Sequence, residues 1–264
     1  MSESFVRSIS GAVYIVLLLT ATFYDEISFQ ILFGLFLLIG IYEFARLTRL
    51  SLVWSYALGI LATAAVYALN DSLPFIYLNG FGLVVLLYLL FDLFSKKPAT
   101  EKGQVSRYLL LLGYVVLPFC AILHLPFINN SYQPQVIVGI FILIWTNDTF
   151  AYIVGKKWGR TKLFERVSPK KTVEGLVGGL IFTVIAALII SKYFAVNNAV
   201  IWISSAIFVS LFGTIGDLVE SKFKRQAGVK DSGAIMPGHG GILDRLDSII
   251  FVSPFLYLIF QILK

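Results

Sequence analysis

The feature that most constrains this chain is a repeated alternation of long apolar segments with short polar connections. Nine such segments can be read, at about residues 9–24, 28–44, 51–69, 74–94, 108–127, 135–154, 175–194, 199–219 and 246–263. A span of ~20 apolar residues crosses a bilayer as a helix. The first two segments read short by that measure and are expected to tilt little or to thin the bilayer locally. None shows the polar/apolar alternation of a transmembrane barrel strand, so helices are the only spanning structure left. The expected fold is an all-α, polytopic membrane helix bundle of about nine transmembrane helices.

Composition agrees. The 264 residues are 58% hydrophobic and 14% charged, against roughly 45–50% apolar and about 25% charged in soluble domains. Mean hydropathy is +0.85. Cys120 is the sole cysteine, which excludes an intrachain disulfide and a cysteine-based zinc site. The net charge of +6 resides in the connections, which suits anionic lipid and nucleotide phosphates better than nucleic acid. No polar stretch is long enough for a separate soluble domain.

Positive charge marks one set of loops. Arg46 and Arg49 follow segment two, and Lys96, Lys97, Lys102 and Arg107 follow segment four. Lys156, Lys157, Arg160, Lys162, Arg166, Lys170 and Lys171 follow segment six; Lys222, Lys224, Arg225, Lys230 and Arg245 flank the end of segment eight. The alternate loops carry Asp25, Glu26, Asp71, the polar stretch 129–135 and only Lys192. The positive-inside rule then sets the N-terminus and the basic loops in the cytoplasm. Arg7 before an apolar stretch has the form of a signal peptide, but no small-x-small cleavage pattern follows before Asp25, so segment one is expected to stay.

Acids inside apolar helices are the next signal, because each costs ~2.5–3.5 kcal/mol at mid-bilayer on insertion scales. Trp145-Thr146-Asn147-Asp148-Thr149 interrupts segment six, Asp217 and Glu220 lie near the end of segment eight, and Asp244 and Asp247 open segment nine. Glu174 opens segment seven, where capping a helix start explains it as well as a site does. Asp217, Glu220, Ser221 and Lys224 share one helical face, as do Asp244 and Asp247. Carboxylates converging from segments six, eight and nine, with amide and hydroxyl oxygens nearby, suit Mg²⁺. Whether a monovalent cation joins it is left open by the sequence. His124, without ionisable neighbours in segment five, reads as a packed histidine.

Two basic loops accompany these acids. The first holds Gly155, Gly159 and Ser168-Pro169-Lys170-Lys171-Thr172, ahead of a helix start whose N–H groups favour an anion. It is not a Walker loop. The second runs from Ser221 to Asp247 and packs Lys222, Lys224, Arg225, Lys230, Asp231, a Pro-Gly turn and His239-Gly240-Gly241 between two membrane helices. Such a loop suits holding a polyphosphate and a metal where a lipid head group can reach them.

This S-x-F-K-R-x4-K-D-x-G-x3-P-G-H-G-G-x2-D-R-x-D run resembles the signature of the CDP-diacylglycerol synthases (phosphatidate cytidylyltransferases). The N-D-T-x-A-Y, G-x3-G-R and S-P-K-K-T-x-E-G pieces between Asn147 and Gly175 are similar to that family's upstream motif region. Met236 departs from the Leu, Ile or Phe expected before the proline, an apolar exchange. The N-terminal half matches only as unspecific apolar helices.

The resemblance implies transfer of CMP from CTP to phosphatidic acid. On that reading Asp217, Asp244 and Asp148, then Asp247 and Asn147, are the expected metal ligands. Lys222, Lys224, Arg225, Lys230 and Arg245 would neutralise phosphates, with His239 a donor or a turn residue. Lys170, Lys171, Ser221, Asp231, Gly240 and Gly241 would hold substrate. Residues 135–264 form the expected catalytic region and 1–134 a scaffold with lipid or oligomer contacts. The further expectations are an integral protein of the inner membrane with its site facing the cytoplasm, membrane lipids as surroundings, and a homodimer. Two rivals stay open: a CTP-dependent polyprenol or phytol kinase, and a secondary transporter with intramembrane acids.

Overall fold

The computed structural model describes residues 3–68, 72–95, 103–128, 131–194, 196 and 198–263. Leu69, Asp71, Lys96, Lys97, Lys102, Asn129 and Asn130 lie outside the described residues. Nine apolar helices follow in chain order among the described residues: α1 (Glu3–Tyr24), α2 (Glu26–Thr48), α3 (Leu52–Ala68), α4 (Ser72–Phe94), α5 (Gln104–His124), α6 (Pro134–Trp158), α7 (Val173–Tyr193), α8 (Ala199–Gln226) and α9 (Leu243–Ile262). Eight are long and apolar enough to cross a membrane, and α3 is described over 17 residues. The chain is an integral membrane protein of the polytopic helical class. The first two helices, expected to be short, have 22 and 23 residues, because each runs on past its apolar stretch, α1 starting at Glu3 and α2 ending at Thr48.

Local chemistry sets the helix ends. Asp25 caps α2 by accepting from the Ser28 backbone N–H at 2.6 Å, and the Ser28 hydroxyl answers the Asp25 N–H at 3.2 Å. Those bonds hold the Asp25 carboxyl below its ordinary pKa. Thr172 caps α7 from the Gly175 N–H at 3.1 Å.

Helices α5 and α9 are the most enclosed, and α9 touches α2, α4, α5, α6 and α8. Phe33, Phe44, Tyr114, Phe119, Phe141 and Phe251 fill the interior between them. Val13, Val16, Ile27, Ile31 and Leu35 are exposed on the outer surface, which is a proper place for them in lipid.

Two interruptions aim side chains inward. Leu111–Val116 in α5 and Val209–Gly213 in α8 are π-helical turns, and such bulges shift the helical phase downstream. The second immediately precedes the turn that carries Asp217. There Gly216 allows α8 to lie on α9, since a Cβ would stand 2.6 Å from the Asp247 carbonyl oxygen and 2.7 Å from Phe251 Cβ. Close crossing at Gly216 brings Asp217 and Asp247 to one place.

Two small antiparallel hairpins complete the fold. Strands β1 (Phe127–Ile128) and β2 (Ser131–Tyr132) join α5 to α6, and β3 (Lys162–Phe164) and β4 (Ser168–Thr172) join α6 to α7. The Ser-Pro-Lys-Lys-Thr stretch read as a loop is therefore a strand. Glu174 braces it by accepting from the backbone N–H groups of Arg160 at 3.1 Å and Thr161 at 3.0 Å. Glu174 thus ties the start of α7 to the segment ahead of β3, while the cap of α7 itself is Thr172.

Candidate active site

Parts of α1, α6, α7, α8 and α9, with β3, β4 and the loop before α9, surround a cavity of about 980 Å³. Three carboxylates stand together in it. One oxygen from each of Asp217, Glu220 and Asp247 lies within 4.8 Å of the others. Asp217 and Glu220 come from the same face of α8 and Asp247 from the first turns of α9, so the trio depends on the crossing at Gly216. Asp148 and Asn147 of α6 line the same cavity.

Cations balance these acids. Lys171 of β4 pairs with Asp217 at 2.5 Å. Lys224, one turn beyond Glu220, pairs with Glu220 at 2.6 Å and with Asp244 at 2.5 Å. Lys156, Lys162, Lys170 and Arg245 also line the cavity. Acids from the membrane helices thus meet bases supplied largely by the hairpin and helix ends, an arrangement for a metal ion and a polyanion together.

The trio fits a divalent cation. Glu220 is 1% exposed, and its Oε1 is buried without a hydrogen-bond partner among the described residues. An orphaned buried carboxylate oxygen is costly unless something cationic meets it. The donors are all oxygen, which suits Mg²⁺ rather than a thiophilic metal.

Other expected residues fall in different places. Asp244, expected as a ligand, is outside the trio and already engaged. It takes Lys224 and accepts from the Ser232 N–H at 2.7 Å and the Gly241 N–H at 2.8 Å. The Asn147 amide oxygen faces α7, where a Cβ on Gly179 would be 2.7 Å away, and its Nδ2 reaches Asp148 at 3.4 Å. Ser221 approaches Asp217 at 3.3 Å. Asp231 and His239 line the cavity, whereas Lys222, Arg225, Lys230, Gly240 and Gly241 do not. Arg225 donates to the Val229 carbonyl at 3.3 Å, and Lys230 is exposed. Gly240 has φ +84 and turns the loop back, its carbonyl accepting from the Met236 N–H at 2.9 Å.

Lys222 points away from the cavity. Its Nζ lies 2.7 Å from the Asp92 carboxylate and 2.5 Å from the Asp92 carbonyl, tying α8 to α4. Lys222→Ala and Asp92→Ala are each expected to lower the melting temperature. The double variant should add little to either one, and additive losses in a thermal-unfolding cycle would contradict the pairing.

The part played by α1 was not foreshadowed by any motif. Gly11, Tyr14 and Ile15 wall the cavity, and Ser10 Oγ lies 2.7 Å from His239 Nδ1 and 2.9 Å from the Pro237 carbonyl. Partial burial, then the charges of Arg245 and Arg7, push the His239 imidazole below its ordinary pKa. Glu220 as a trio member and Glu43, in the apolar run of α2, were also missed. A single buried acid in such a run is the one signal that marks Glu43.

The model of the Cytidylyltransferase family matches residues 5–263. Among curated proteins, the phosphatidate cytidylyltransferase of Bacillus subtilis (strain 168) is 34% identical over 260 residues, 95% of each chain. That of Staphylococcus aureus (strain COL) is 52% identical over 118 residues, 44% of this chain and 45% of its own. That of Staphylococcus saprophyticus is 53% identical over the same length, again 44% and 45%. With a match that runs through both the motif-bearing loops and the N-terminal helices walling the cavity, this chain belongs to the Cytidylyltransferase family.

Proposed function

We propose that this protein transfers CMP from CTP to phosphatidic acid, giving CDP-diacylglycerol and pyrophosphate. The observation that carries the reading is the acid trio of Asp217, Glu220 and Asp247 in a base-lined cavity at one end of a membrane bundle. A water-borne triphosphate and a membrane-held phosphate can meet there. Family membership and the names of the relatives support the same substrates.

In the transfer, an oxygen of the lipid phosphate forms a bond to the α-phosphorus of CTP. The bond from that phosphorus to the bridging oxygen breaks, and pyrophosphate leaves with the electron pair. Second phosphate pKa values near 6 leave the lipid monoester largely ionised at neutral pH, so no general base is required. The work is to hold two anions in line, which cationic side chains do by neutralising charge.

Lys170, Lys162 and Lys156, which line the cavity, would meet the triphosphate, and Arg245 the acceptor phosphate or the leaving group. Lys171 neutralises Asp217 and can turn to a phosphate when a cation takes its place. Asp217, Glu220 and Asp247 would hold Mg²⁺, with Asp148 beside them. When bound, Mg²⁺ supplies Lewis-acid withdrawal of charge from phosphoryl oxygens. His239 would donate from a ring nitrogen to a phosphoryl oxygen. The positive-inside pattern supports a cavity facing the cytoplasm, in the inner membrane.

The test is turnover by purified protein given CTP, phosphatidic acid and Mg²⁺, with the lipid and nucleotide products identified. CDP-diacylglycerol and pyrophosphate in equal amounts are the expected result. CDP with a phosphorylated lipid alcohol would favour a lipid kinase, and no CTP consumption in any lipid would overturn the reading.

A further inference from the structure

Glu43 lies in α2, in the half of the chain without recognisable motifs, and is 1% exposed. Its Oε1 accepts from the Ile242 N–H at 3.0 Å and its Oε2 from the Leu243 N–H at 2.9 Å. These are groups at the start of α9, where unpaired backbone N–H groups and the helix dipole favour a negative charge. Gly233 and Gly241 wall this socket, and a Cβ on either would collide with Glu43 Oε1. Ser232 Oγ lies 3.0 Å from Glu43 Oε2 and 2.8 Å from Asp244 Oδ2. From Asp244 the chain of contacts runs through Lys224 to Glu220.

We propose that Glu43 is a positioning residue for the metal and triphosphate site, fixing the start of α9 and its preceding loop so that Asp247 meets Asp217 and Glu220. The proposal rests on the cytidylyltransferase reading for its chemistry. Its geometry stands on the contacts alone. Glu43 touches no reacting atom in this arrangement. It acts through Ser232, Asp244 and the backbone of α9, and it makes the N-terminal half part of the site.

Two properties separate positioning from simple support. A carboxylate accepts from two N–H groups at once, whereas Gln in its place presents one acceptor oxygen and one N–H₂ donor toward the same groups. Loss of the second bond frees the start of α9, and Asp247, one of the three trio carboxylates, sits just beyond that first turn. The effect should therefore show in cation binding and not only in stability.

The experiment measures Mg²⁺-dependent thermal stabilisation of the purified full chain, without substrates, alongside CTP turnover with phosphatidic acid. Glu43→Gln is expected to raise the half-stabilising Mg²⁺ concentration about tenfold, a change of about 1.4 kcal/mol, and to lower kcat more than it raises KM for CTP. Ser232→Ala should shift the same midpoint in the same direction by less. Asn79→Ala is the comparison, since Asn79 is buried and donates to the Pro254 carbonyl at 3.0 Å, toward the other end of α9. It should lower the melting temperature and leave the Mg²⁺ midpoint in place.

An unchanged midpoint in a folded Glu43→Gln protein, with only a lower melting temperature, would overturn the proposal. Should Glu43→Gln not fold, Ser232→Ala decides: a shifted midpoint supports the proposal and an unshifted one overturns it. Failure of the wild type to consume CTP would instead sink the functional reading, with the Mg²⁺ midpoints still deciding the role of Glu43.

Discussion

Asp217→Asn is expected to lower CDP-diacylglycerol formation by about three orders of magnitude, equivalent to about 4 kcal/mol in the barrier. Asp217 is the acid on which most of the site depends: it contributes to the trio, pairs with Lys171 and approaches Ser221. Asparagine is close in volume, so packing beside Gly216 should survive. What it removes is a charge that a divalent cation needs and that holds Lys171 in place. Asp247→Asn and Glu220→Gln should fail in the same way. Asp244→Asn should act differently, loosening the 231–241 loop, because Asp244 binds backbone and Lys224. Turnover with radiolabelled CTP, measured across Mg²⁺ concentrations, separates these. Should Asp217→Asn retain more than a tenth of wild-type turnover, the trio is not the catalytic metal site.

Lys224→Ala is expected to have the largest effect on stability, on the order of 3–5 kcal/mol, because it removes one member of a buried charge group and strands the others. The Lys224 side chain is 12% exposed and lies between those of Glu220 and Asp244, which are 2% and 5% exposed. With Lys224 gone, two buried carboxylates lose their only ion-pair partner among the described residues. Divalent cation should restore part of the loss, since it can answer Glu220 in place of the ammonium group. Thermal unfolding in detergent with and without Mg²⁺ measures both quantities. A variant as stable as wild type without Mg²⁺ would show that the group is already relieved by water. Loss of activity in Lys224→Ala alone is therefore no proof of a catalytic role, because the fold is expected to suffer as well.

Much of this was legible in the chain. Nine apolar blocks gave nine helices because a membrane leaves a segment of that length one way to satisfy its backbone. Acids placed in such helices marked Asp148, Asp217 and Asp247 because burying a charge without purpose is too costly. That Glu220 stands beside Asp217 and Asp247 while Asp244 is held by the loop was not legible: both lie on site-facing turns, and only three-dimensional pairing with Lys224 and the loop N–H groups distinguishes them. Glu43 was hidden for a similar reason, since its partners are two backbone groups and a single serine, with no charged side chain to announce them, and the Ile242 N–H is 199 residues away. The π-helical turns leave no mark in hydropathy, and Ser-Pro-Lys-Lys-Thr carries too little alternation to announce a strand.

The contact between Ser10 and Pro237 spans 227 positions. During synthesis the first helix is in the membrane long before the loop that it receives has been made. For all that interval the pocket lacks a wall, and the acids that follow later lack their loop. The ability to handle a reactive nucleotide is thus withheld until that loop and α9 have been made. An interrupted translation product, though inserted and largely helical, would be an inert one.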